Sequence, residues 1–459
     1  MANRRLNDLG NDKISTLLWR LALPAVAAQL VNALYNIVDR MYIGHMAGVG
    51  DLALTGLGVT FPILMFISAL SALVGMGGGS RAAIAIGAGD EKGANKILGS
   101  CVALIVVISI AVTVIFQIFQ TPMLMAFGAA PETIGYATDY LTIYLWGTIS
   151  VQVAMGLNNF ITAQGFSSTS MMTVLIGAVV NIVLDPILIF GFDMGVKGAA
   201  WATIIAQTVS AIWVICFLMG KRTKLKIQRK YIRLNPKILG PVVAIGISPF
   251  IMQSTESLVM IAFNSSLYKY GGNSAVGAIA IASSVMQVLT MPFMGLAQGA
   301  QPIIGHNYGA GKIDRVKETF KLLFIGSVAC AILGWATVQL FPGMFVAIFN
   351  DKPALVEITV WAMHIYFACM FTLGVQFSCQ QTFVALGQAK ISLVMALLRK
   401  IILLIPLIFI LPLFFKDQVF AVFLAEPVAD LLAATTTGIV FAVKFPKILR
   451  KRQLELAEG

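Results

Sequence analysis

The segment from Val102 to Phe119 contains no charged residue. As a helix it approaches the roughly 20 apolar residues that cross the hydrocarbon core of a bilayer. Similar segments recur along the 459 residues, of which 58% are hydrophobic and only 11% are charged. Because a soluble domain does not need this much apolar surface, the sequence predicts a polytopic membrane protein.

Breaks at glycine, proline and charged residues divide the chain into twelve apolar segments. We therefore predict an all-α fold with twelve transmembrane helices, because a helix satisfies its own backbone hydrogen bonds inside a membrane. The predicted spans are residues 16–43, 52–80, 97–120, 136–162, 169–191, 196–219, 239–267, 274–305, 318–341, 354–384, 391–415 and 418–443. Several exceed about 20 residues, which implies that these helices tilt or bend.

The basic residues explain the net charge of +12 without a nucleic-acid partner. They cluster in alternate loops, and the largest cluster has eight Lys and Arg residues between Lys221 and Lys237. By the positive-inside rule, this loop and both termini lie in the cytoplasm of a multi-pass plasma-membrane protein. The expected partner is the lipid bilayer, and we expect a monomer.

The sequence lacks the motifs of cofactor chemistry. Its five cysteines lie in apolar segments without a CxxC pair, which argues against a disulfide framework or a zinc site. It also lacks a Walker lysine motif, a GxSxG elbow and a DDxxD pair. We expect no cofactor and no enzymatic activity, and active transport by this chain alone cannot use ATP.

The two halves of the chain are related to each other in sequence. Pro24 aligns with Pro249 at an offset of 225, and the Gly-Ala-Gly at 87–89 recurs at 309–311. Because each half has an even number of spans, the halves form two six-helix bundles related by a pseudo-two-fold axis near the membrane normal. The predicted division is an N-terminal lobe of residues 1–219, a basic cytoplasmic linker of residues 220–238, and a C-terminal lobe of residues 239–459 with a basic cytoplasmic tail.

The first span carries polar residues on one face. Asn32, Tyr35 and Asp39 are three and four residues apart, which places them on the same side of a helix. An ionised carboxylate within a span costs at least about 2.5 kcal/mol unless it faces protein or a water-filled cavity, so Asp39 is a candidate functional residue. The alternative is that Asp39 lies near the headgroups and pairs with Arg40.

The fifth span carries a second polar group. Asn181 and Asp185 are four residues apart, and Pro186 leaves one backbone carbonyl without its helical donor. Together with Asp39 and Thr203, these oxygens predict either a Na⁺ site or a pair of carboxylates that share a proton. The alternative is the packing of a proline-kinked helix.

Two stripes in the second half predict a substrate-binding wall. Gln253 and Glu256 lie on one helical face, and Gln287 and Met291 lie on a face of the next span. Methionine adapts its shape and suits varied ligands. In the first half, Tyr140 belongs to a row of three tyrosines that either stacks on organic cations or forms part of an interfacial aromatic belt.

Several of these features occur together in one known family. They are Pro24, Asp39 and Gly44 in the first span, the Asn181–Asp185 pair, Pro249 with Glu256, and the repeated Gly-Ala-Gly. Over nearly the whole chain, the sequence resembles the multidrug and toxic compound extrusion (MATE) transporters, most of all the DinF-like branch and its MepA-type efflux pumps. The resemblance implies a cation site formed by Asp39, Asn181, Asp185 and Thr203, a cavity lined by Tyr35, Tyr140 and Asn158, and a second-lobe acid at Glu256.

One departure from the family concerns the tenth span. Some relatives carry an acid there, whereas residues 354–384 offer only Glu357, at the edge. A second-lobe cation site built on two acids is therefore not expected. Glu426 and Asp430, four residues apart near the last span, receive no predicted role.

We expect an antiporter that exports lipophilic, often cationic organic compounds against an inward flow of H⁺ or Na⁺. A flippase for lipid-linked sugars is an alternative, supported only by Arg399 and Lys400 at the start of the eleventh span and by Arg81, because most basic residues lie in cytoplasmic loops and an anionic pyrophosphate lipid needs several buried ones. A membrane-embedded enzyme or receptor is a further alternative, although no catalytic constellation with recognisable spacing supports it.

Overall fold

The computed structural model describes residues 7–46, 48–348 and 353–458, which form helices and their connections without a strand. The helices of the first half are α1 (Ile14–Gly44), α2 (Gly50–Gly87), α3 (Glu91–Ala126), α4 (Ile134–Trp146), α5 (Thr148–Gln152), α6 (Asn158–Ala163), α7 (Ser167–Pro186) and α8 (Gly195–Met219). Those of the second half are α9 (Pro236–Gly309), α10 (Ile313–Leu340), α11 (Pro342–Ala347), α12 (Pro353–Tyr366), α13 (Leu373–Ala385), α14 (Ala389–Leu397), α15 (Ile405–Ile410) and α16 (Gln418–Glu458).

Short segments of π-helix and 3₁₀-helix join some of these helices. The π-helical segments are Val153–Leu157, Ile187–Gly191 and Leu398–Leu404, and the 3₁₀ segments are Arg229–Tyr231, Met370–Thr372 and Leu411–Leu413. The π-helical segments therefore continue α5, α7 and α14. Such segments widen a helix locally and often occur at functional sites.

The predicted twelve spans account for the helices of the structure. Within the described residues, nine helices are long and apolar enough to cross a membrane, and two bent pairs, α4 to α6 and α12 to α13, are so too when each pair is taken as one span, with bends of 62° and 42°. The long helix α9 changes direction at Gly272, whose backbone is not helical (φ 63°, ψ −159°), so it supplies two spans. The fold is thus the all-helical bundle expected from the sequence. The one large difference lies in α16, which continues as a helix well beyond residue 443 through the basic tail.

Local capping explains where two helices begin. The Asp90 carboxylate accepts a hydrogen bond from the Gly93 amide at 2.7 Å and caps α3. The Asn235 side chain accepts one from the Lys237 amide at 3.1 Å, and Pro236 stands at the first position of α9, where its missing N–H has no cost.

The internal repeat extends to the backbone. Gly89 and Gly311, each the last residue of a Gly-Ala-Gly, have φ of 78° and 71°, and Gly165 and Gly387 have φ of 85° and 70°. These left-handed conformations favour glycine and end helices in the same way in both halves. The two bent spans also occupy equivalent places. The halves are therefore two copies of one six-helix unit, as the sequence predicted.

The apolar core is shared between the halves at one end of the molecule only. Two clusters of buried residues each belong to a single half, one with Phe263 and Phe423 and the other with Ile67 and Leu141. The other two clusters cross between the halves. Leu17 to Ala22 of α1 pack with second-half residues, and Val242 of α9 packs with first-half residues. The halves therefore join at one end, and in the described residues their cores are separate at the other.

Glycines allow the close contact at the joined end. In six places a Cβ added to a glycine would collide with the other half, because helix backbones meet there directly. The pairs are Gly77 with Val242, Gly246 with Leu73, Gly87 with His306, Gly309 with Ile84, Gly295 with Val26, and Gly299 with Ala22. The first half contributes two of these glycines and the second half contributes four.

The joined end carries the basic loops, and we refer to it as the basic face. The linker reaches the start of α3, where the Lys226 amide donates to Asn95 Oδ1 at 2.7 Å. The C-terminal end of α16 reaches the end of α9, where Arg452 donates to the Gly309 carbonyl at 2.8 Å. The predicted linker boundaries at residues 220 and 238 stay predictions.

The segment before α1 ties both halves together at the basic face. Asn7 donates to the Gly165 carbonyl at 3.0 Å, and Arg315 donates to the Asp12 carbonyl at 2.6 Å. Within this segment, the Asn11 amide donates to Asp8 and lowers the pKa of that carboxyl below its ordinary value. The segment is therefore folded onto the protein although it lies outside the spans.

We predict that Gly246→Val lowers the free energy of unfolding by about 1–3 kcal/mol, because the new side chain collides with the Leu73 carbonyl in a packed interface. The matched control is Gly240→Val on the same helix, where an added Cβ meets no atom within 4 Å. The measurement is the thermal unfolding midpoint of each purified protein in detergent. Equal midpoints for the two variants would contradict the close contact of the halves.

Candidate functional site

Asp39 of α1 and Asp185 of α7 lie side by side in the first half. Their carboxyl groups are within hydrogen-bonding reach of each other. The Asn181 amide donates to Asp185 Oδ1 at 3.2 Å, and Asn181 and Asp185 have only 2% and 0% of their surface exposed. The structure thus brings together three of the four residues that we predicted for a cation site.

Three oxygen atoms of this group are buried without a hydrogen-bond donor. They are Asp39 Oδ1, Asp185 Oδ2 and Asn181 Oδ1, which have no partner among the residues that the structure describes. Buried carboxylate oxygens without a partner are costly, because the ionised group has lost its water. A proton shared by the two carboxylates, or a small cation held by the three oxygens, removes this cost.

The donor set limits which ions fit. In the described part of the chain, no group of three or more His, Cys, Asp or Glu side chains is arranged to hold a metal ion. The site has two carboxylates and one amide oxygen, and such all-oxygen ligands suit a hard cation. The geometry therefore fits the two ions predicted from the sequence, H⁺ and Na⁺, and does not fit a transition-metal centre.

Aromatic and hydroxyl groups surround the carboxyl pair. Tyr35 lies one helical turn from Asp39 on α1, and the Tyr140 ring lies close to both. The Tyr140 hydroxyl is within hydrogen-bonding reach of Thr203, which is the fourth predicted cation ligand. Tyr140 also stacks on Tyr144, with ring centroids 6.1 Å apart and an interplanar angle of 20°. Thr203 therefore joins the site through Tyr140.

Arg40 does not neutralise Asp39. Its guanidinium lies over the ring of Phe61, 5.8 Å from the centroid, and Arg40 forms no ion pair within the described residues. Asp39 Oδ1 is buried, whereas Arg40 is exposed. The burial of Asp39 Oδ1 and the lack of an ion pair with Arg40 in the described residues therefore favour a functional Asp39 over a solvated one.

Pro186 explains why α7 changes its geometry beside the site. It lacks the N–H that would bond to the carbonyl one turn earlier, and the π-helical segment Ile187–Gly191 follows directly. Asp185 stands at this junction and points into the lobe, since none of its surface is exposed. The proline thus marks the place where the helix widens next to the carboxyl pair.

Asn158 braces two helices instead of presenting a free amide to the cavity. Its Nδ2 donates to the Ser170 carbonyl at 3.2 Å, and its Oδ1 accepts from the Thr173 hydroxyl at 3.0 Å. Both ends of the amide are therefore used within the first half. The sequence resemblance predicted a cavity-lining residue, and the structure gives Asn158 a contact that fixes α6 against α7.

Glu256 differs from the buried acid that we predicted. It lies deep in the protein on α9, yet 59% of its side chain is exposed, so it lines the cleft between the halves. Its Oε2 is 2.6 Å from the Lys400 ammonium, which also donates to the Met252 carbonyl at 3.0 Å. The acid of the second half is therefore already paired with a cation from the same half.

The other predicted substrate-binding residues divide into accessible and buried ones. Asn32 and Gln287 are exposed, and Gln253 is half-buried. Met291 is only 7% exposed and packs in the interior. The two predicted stripes do lie next to each other, because Ser283 of the second stripe's helix donates to the Met260 sulfur of the first at 3.4 Å.

Sequence reasoning missed the partners of the second-half acids. Arg399 lies 2.7 Å from Asp430 and 3.0 Å from Glu426, and Lys400 pairs with Glu256. The sequence did contain a signal for these ion pairs. Two adjacent basic residues, Arg399 and Lys400, lie in one apolar span, and two acids four residues apart, Glu426 and Asp430, lie in the next. Charges inside a membrane usually pair with one another, so this pattern predicts the contacts.

Comparisons with known proteins agree on one family. A family model described as MatE matches residues 24–187 and again residues 249–410, once in each half and together over well more than half of the chain. The multidrug export protein MepA of Staphylococcus haemolyticus (strain JCSC1435) is 26% identical over 436 residues, which cover 94% of this chain and 95% of that protein.

Solved structures share the fold. A crystal structure of MATE in the straight conformation aligns with a TM-score of 0.90 at 22% identity and covers 98% of this chain and 100% of that chain. An outward-facing multidrug resistance MATE family transporter of the MOP superfamily aligns with a TM-score of 0.88 at 21% identity, again over 98% and 100%. At these identities the likeness concerns the fold alone.

A double-mutant cycle tests the bracing role of Asn158. We predict that Asn158→Ala and Thr173→Val each lower the free energy of unfolding by about 1–3 kcal/mol, because each leaves a buried or half-buried partner without this hydrogen bond. The double variant is expected to lose less than the sum of the two, with a coupling of at least about 0.5 kcal/mol. The measurement is thermal unfolding in detergent without a drug. Strict additivity would show that the two side chains do not interact.

Proposed function

The chain belongs to the MatE family of membrane transporters, and from this premise we propose that it exports lipophilic, often cationic organic compounds in exchange for H⁺ or Na⁺. The observation that carries the proposal is the Asp39–Asp185 pair, with its buried oxygens that lack donors in the described residues. Multidrug export is what the printed name of the relative MepA states for that protein. A carboxyl pair suited to an ion, in a chain related to a multidrug export protein, supports the exchange of an ion for a drug.

Coupling requires the ion and the drug to favour different conformations. A ligand with equal affinity for both conformations moves neither, however tightly it binds. One positive charge that moves inward across 100 mV supplies about 2.3 kcal/mol. When the ion leaves the Asp39–Asp185 pair, the two carboxylates attract an organic cation into the lobe, and rebinding of the ion removes that attraction.

Each residue of the site has a role in this mechanism. Asp39 and Asp185 hold the ion, and Asn181 orients the Asp185 carboxylate through the 3.2 Å hydrogen bond. Tyr35, which is half-buried, offers its ring face to an aromatic or cationic compound beside the carboxylates, and Tyr140, which is buried, does so only when the lobe repacks. Thr203 lies beside the Tyr140 hydroxyl, within hydrogen-bonding reach.

The cleft between the halves supplies the remaining contacts of the drug. The residues that we place in this cleft are exposed or half-buried: Asn32 of α1, and Gln253, Glu256 and Gln287 of α9. Met291 contributes only when the lobe repacks, because its side chain is buried in this conformation. Flexible and amide side chains of this kind tolerate varied ligands.

The topology follows the positive-inside rule. The basic face lies in the cytoplasm with both termini, and the chain crosses the plasma membrane. The separate cores at the opposite end then leave the cleft open toward the outside, where the drug is released. Because one chain contains both halves and the ion site, the protein acts as a monomer.

The alternative of a flippase for lipid-linked sugars loses its support. Two of the three cations that favoured it, Arg399 and Lys400, are paired with three carboxylates inside the second half, and the third, Arg81, is exposed. The two paired side chains are therefore not available to an anionic pyrophosphate. The enzyme and receptor alternatives do not agree with a family of transporters.

We predict that Asp39→Asn and Asp185→Asn each slow the ion-driven efflux of ethidium from proteoliposomes. The expected loss is tenfold or more, within the range of about 5–150-fold that typical coupling energies of 1–3 kcal/mol give. The control is Asp139→Asn in the same half, because Asp139 lies at the surface in an ion pair with Lys197 at 3.4 Å. Wild-type transport in either site variant would contradict the role of the pair.

A second experiment identifies the ion. Proteoliposomes that contain the wild-type protein receive either a pH gradient or a sodium gradient, and efflux is recorded under each one alone. The gradient that drives efflux identifies the coupling ion. Efflux that neither gradient drives would contradict antiport itself, whichever residues bind the drug.

A further inference from the structure

The second half contains a cluster of five charged side chains, all but Glu256 largely buried, that the proposed mechanism does not use as an ion site. Arg399 and Lys400 come from the π-helical segment Leu398–Leu404, Glu426 and Asp430 come from α16, and Glu256 comes from α9. The side chains of Arg399, Glu426 and Asp430 are 15%, 5% and 2% exposed. The cluster therefore lies inside the lobe, away from Asp39 and Asp185.

The charges of the cluster do not balance. Lys400 is matched by Glu256, at 2.6 Å. Arg399 alone faces two carboxylates, with its Nε 2.7 Å from Asp430 and its Nη2 3.0 Å from Glu426. At Arg399, two buried carboxylates therefore share one base, so one of them lacks its own counter-ion. A buried charge without a counter-ion is strongly unfavourable in a membrane protein, so the lobe has to acquire a positive charge.

The excess charge belongs at Glu426. Asp430 makes the shorter contact with Arg399, whereas Glu426 Oε2 is buried and has no hydrogen-bond partner in the parts of the chain that the structure describes. A carboxylate oxygen that accepts no hydrogen bond gains most from protonation, because the neutral carboxylic acid no longer needs charge compensation. The two oxygens of Glu426 thus have different roles, one in the ion pair and one available for a proton.

The groups that face Glu426 come from four elements. They are Arg399 and Lys400 of the π-helical segment, Asp430 on its own helix, Glu256 of α9 and Tyr366 of α12. A small cavity borders the two basic residues and is also lined by Met252, Gln376 and Gln380. Since Glu256 is exposed to the cleft, this polar lining gives a proton a route from solvent to the cluster.

We propose that the second half has its own proton site, at Glu426 Oε2, with Arg399 and Asp430 as its fixed neighbours. One proton adds to the Glu426 carboxylate and converts it to the carboxylic acid, which makes the cluster neutral. The proposal goes beyond the efflux function and does not depend on it, because proton binding is measured on the purified protein without a drug or a gradient.

Infrared spectroscopy of the purified full-length protein tests the proposal, because a carboxylic acid has a C=O band that a carboxylate lacks. All spectra are recorded in an Asp39→Asn, Asp185→Asn background, so that the first-half pair contributes no band. At neutral pH we expect a buried carboxylic acid band that Glu426→Gln abolishes. The control is Glu357→Gln, an exposed acid of the same half, which is expected to keep the band.

Asp430→Asn is a second, independent variant that keeps the test decisive if Glu426→Gln does not fold. It leaves Arg399 with one carboxylate, so the cluster is balanced without a proton and the band is expected to disappear there too. A purely structural ion pair predicts no band in any of these proteins. Absence of the band in the background protein, or its persistence in Glu426→Gln or in Asp430→Asn, would overturn the proposal.

Discussion

The carboxyl groups of Asp39 and Asp185 stand within hydrogen-bonding reach inside a bundle of apolar helices, and the proposed mechanism depends on this contact. Two carboxylates that are both ionised repel each other in a low-dielectric interior, so they have to share a proton or a cation. When the ion leaves, the pair becomes strongly attractive to any other positive charge. A single site can therefore host the ion and an organic cation in turn.

The packing of the two halves supplies the conformational part of the mechanism. At the basic face, glycines bring the helix backbones of both halves together, and the buried clusters there draw residues from both. At the opposite end, the described clusters stay within one half each. Packed interfaces of small residues have discrete arrangements and do not deform continuously. Two related bundles can thus rock against each other, so that the packed end opens while the open end becomes packed.

Much of this architecture could be predicted from the sequence, because hydropathy and the repeat act along the chain. The spans, the duplication and the Asn181–Asp185 face follow from local spacing. What could not be predicted depends on side-chain direction across long separations. Lys400 meets Glu256 across more than a hundred residues. The direction of the Asn158 amide was not predictable even over a short separation, because it bonds to Ser170 and Thr173 in its own lobe. The helical tail of α16 also differs, since its basic residues are compatible with either a helix or a coil.

Drug affinity as a function of the ion tests the central claim most directly. The measurement is the dissociation constant of a fluorescent lipophilic cation for the purified protein, with and without saturating coupling ion. Linkage requires that each ligand weaken the other by the same factor, and we expect one of about 5–150-fold. If the dissociation constant is the same at every pH and at every sodium concentration, the ion and the drug do not exchange at the Asp39–Asp185 pair.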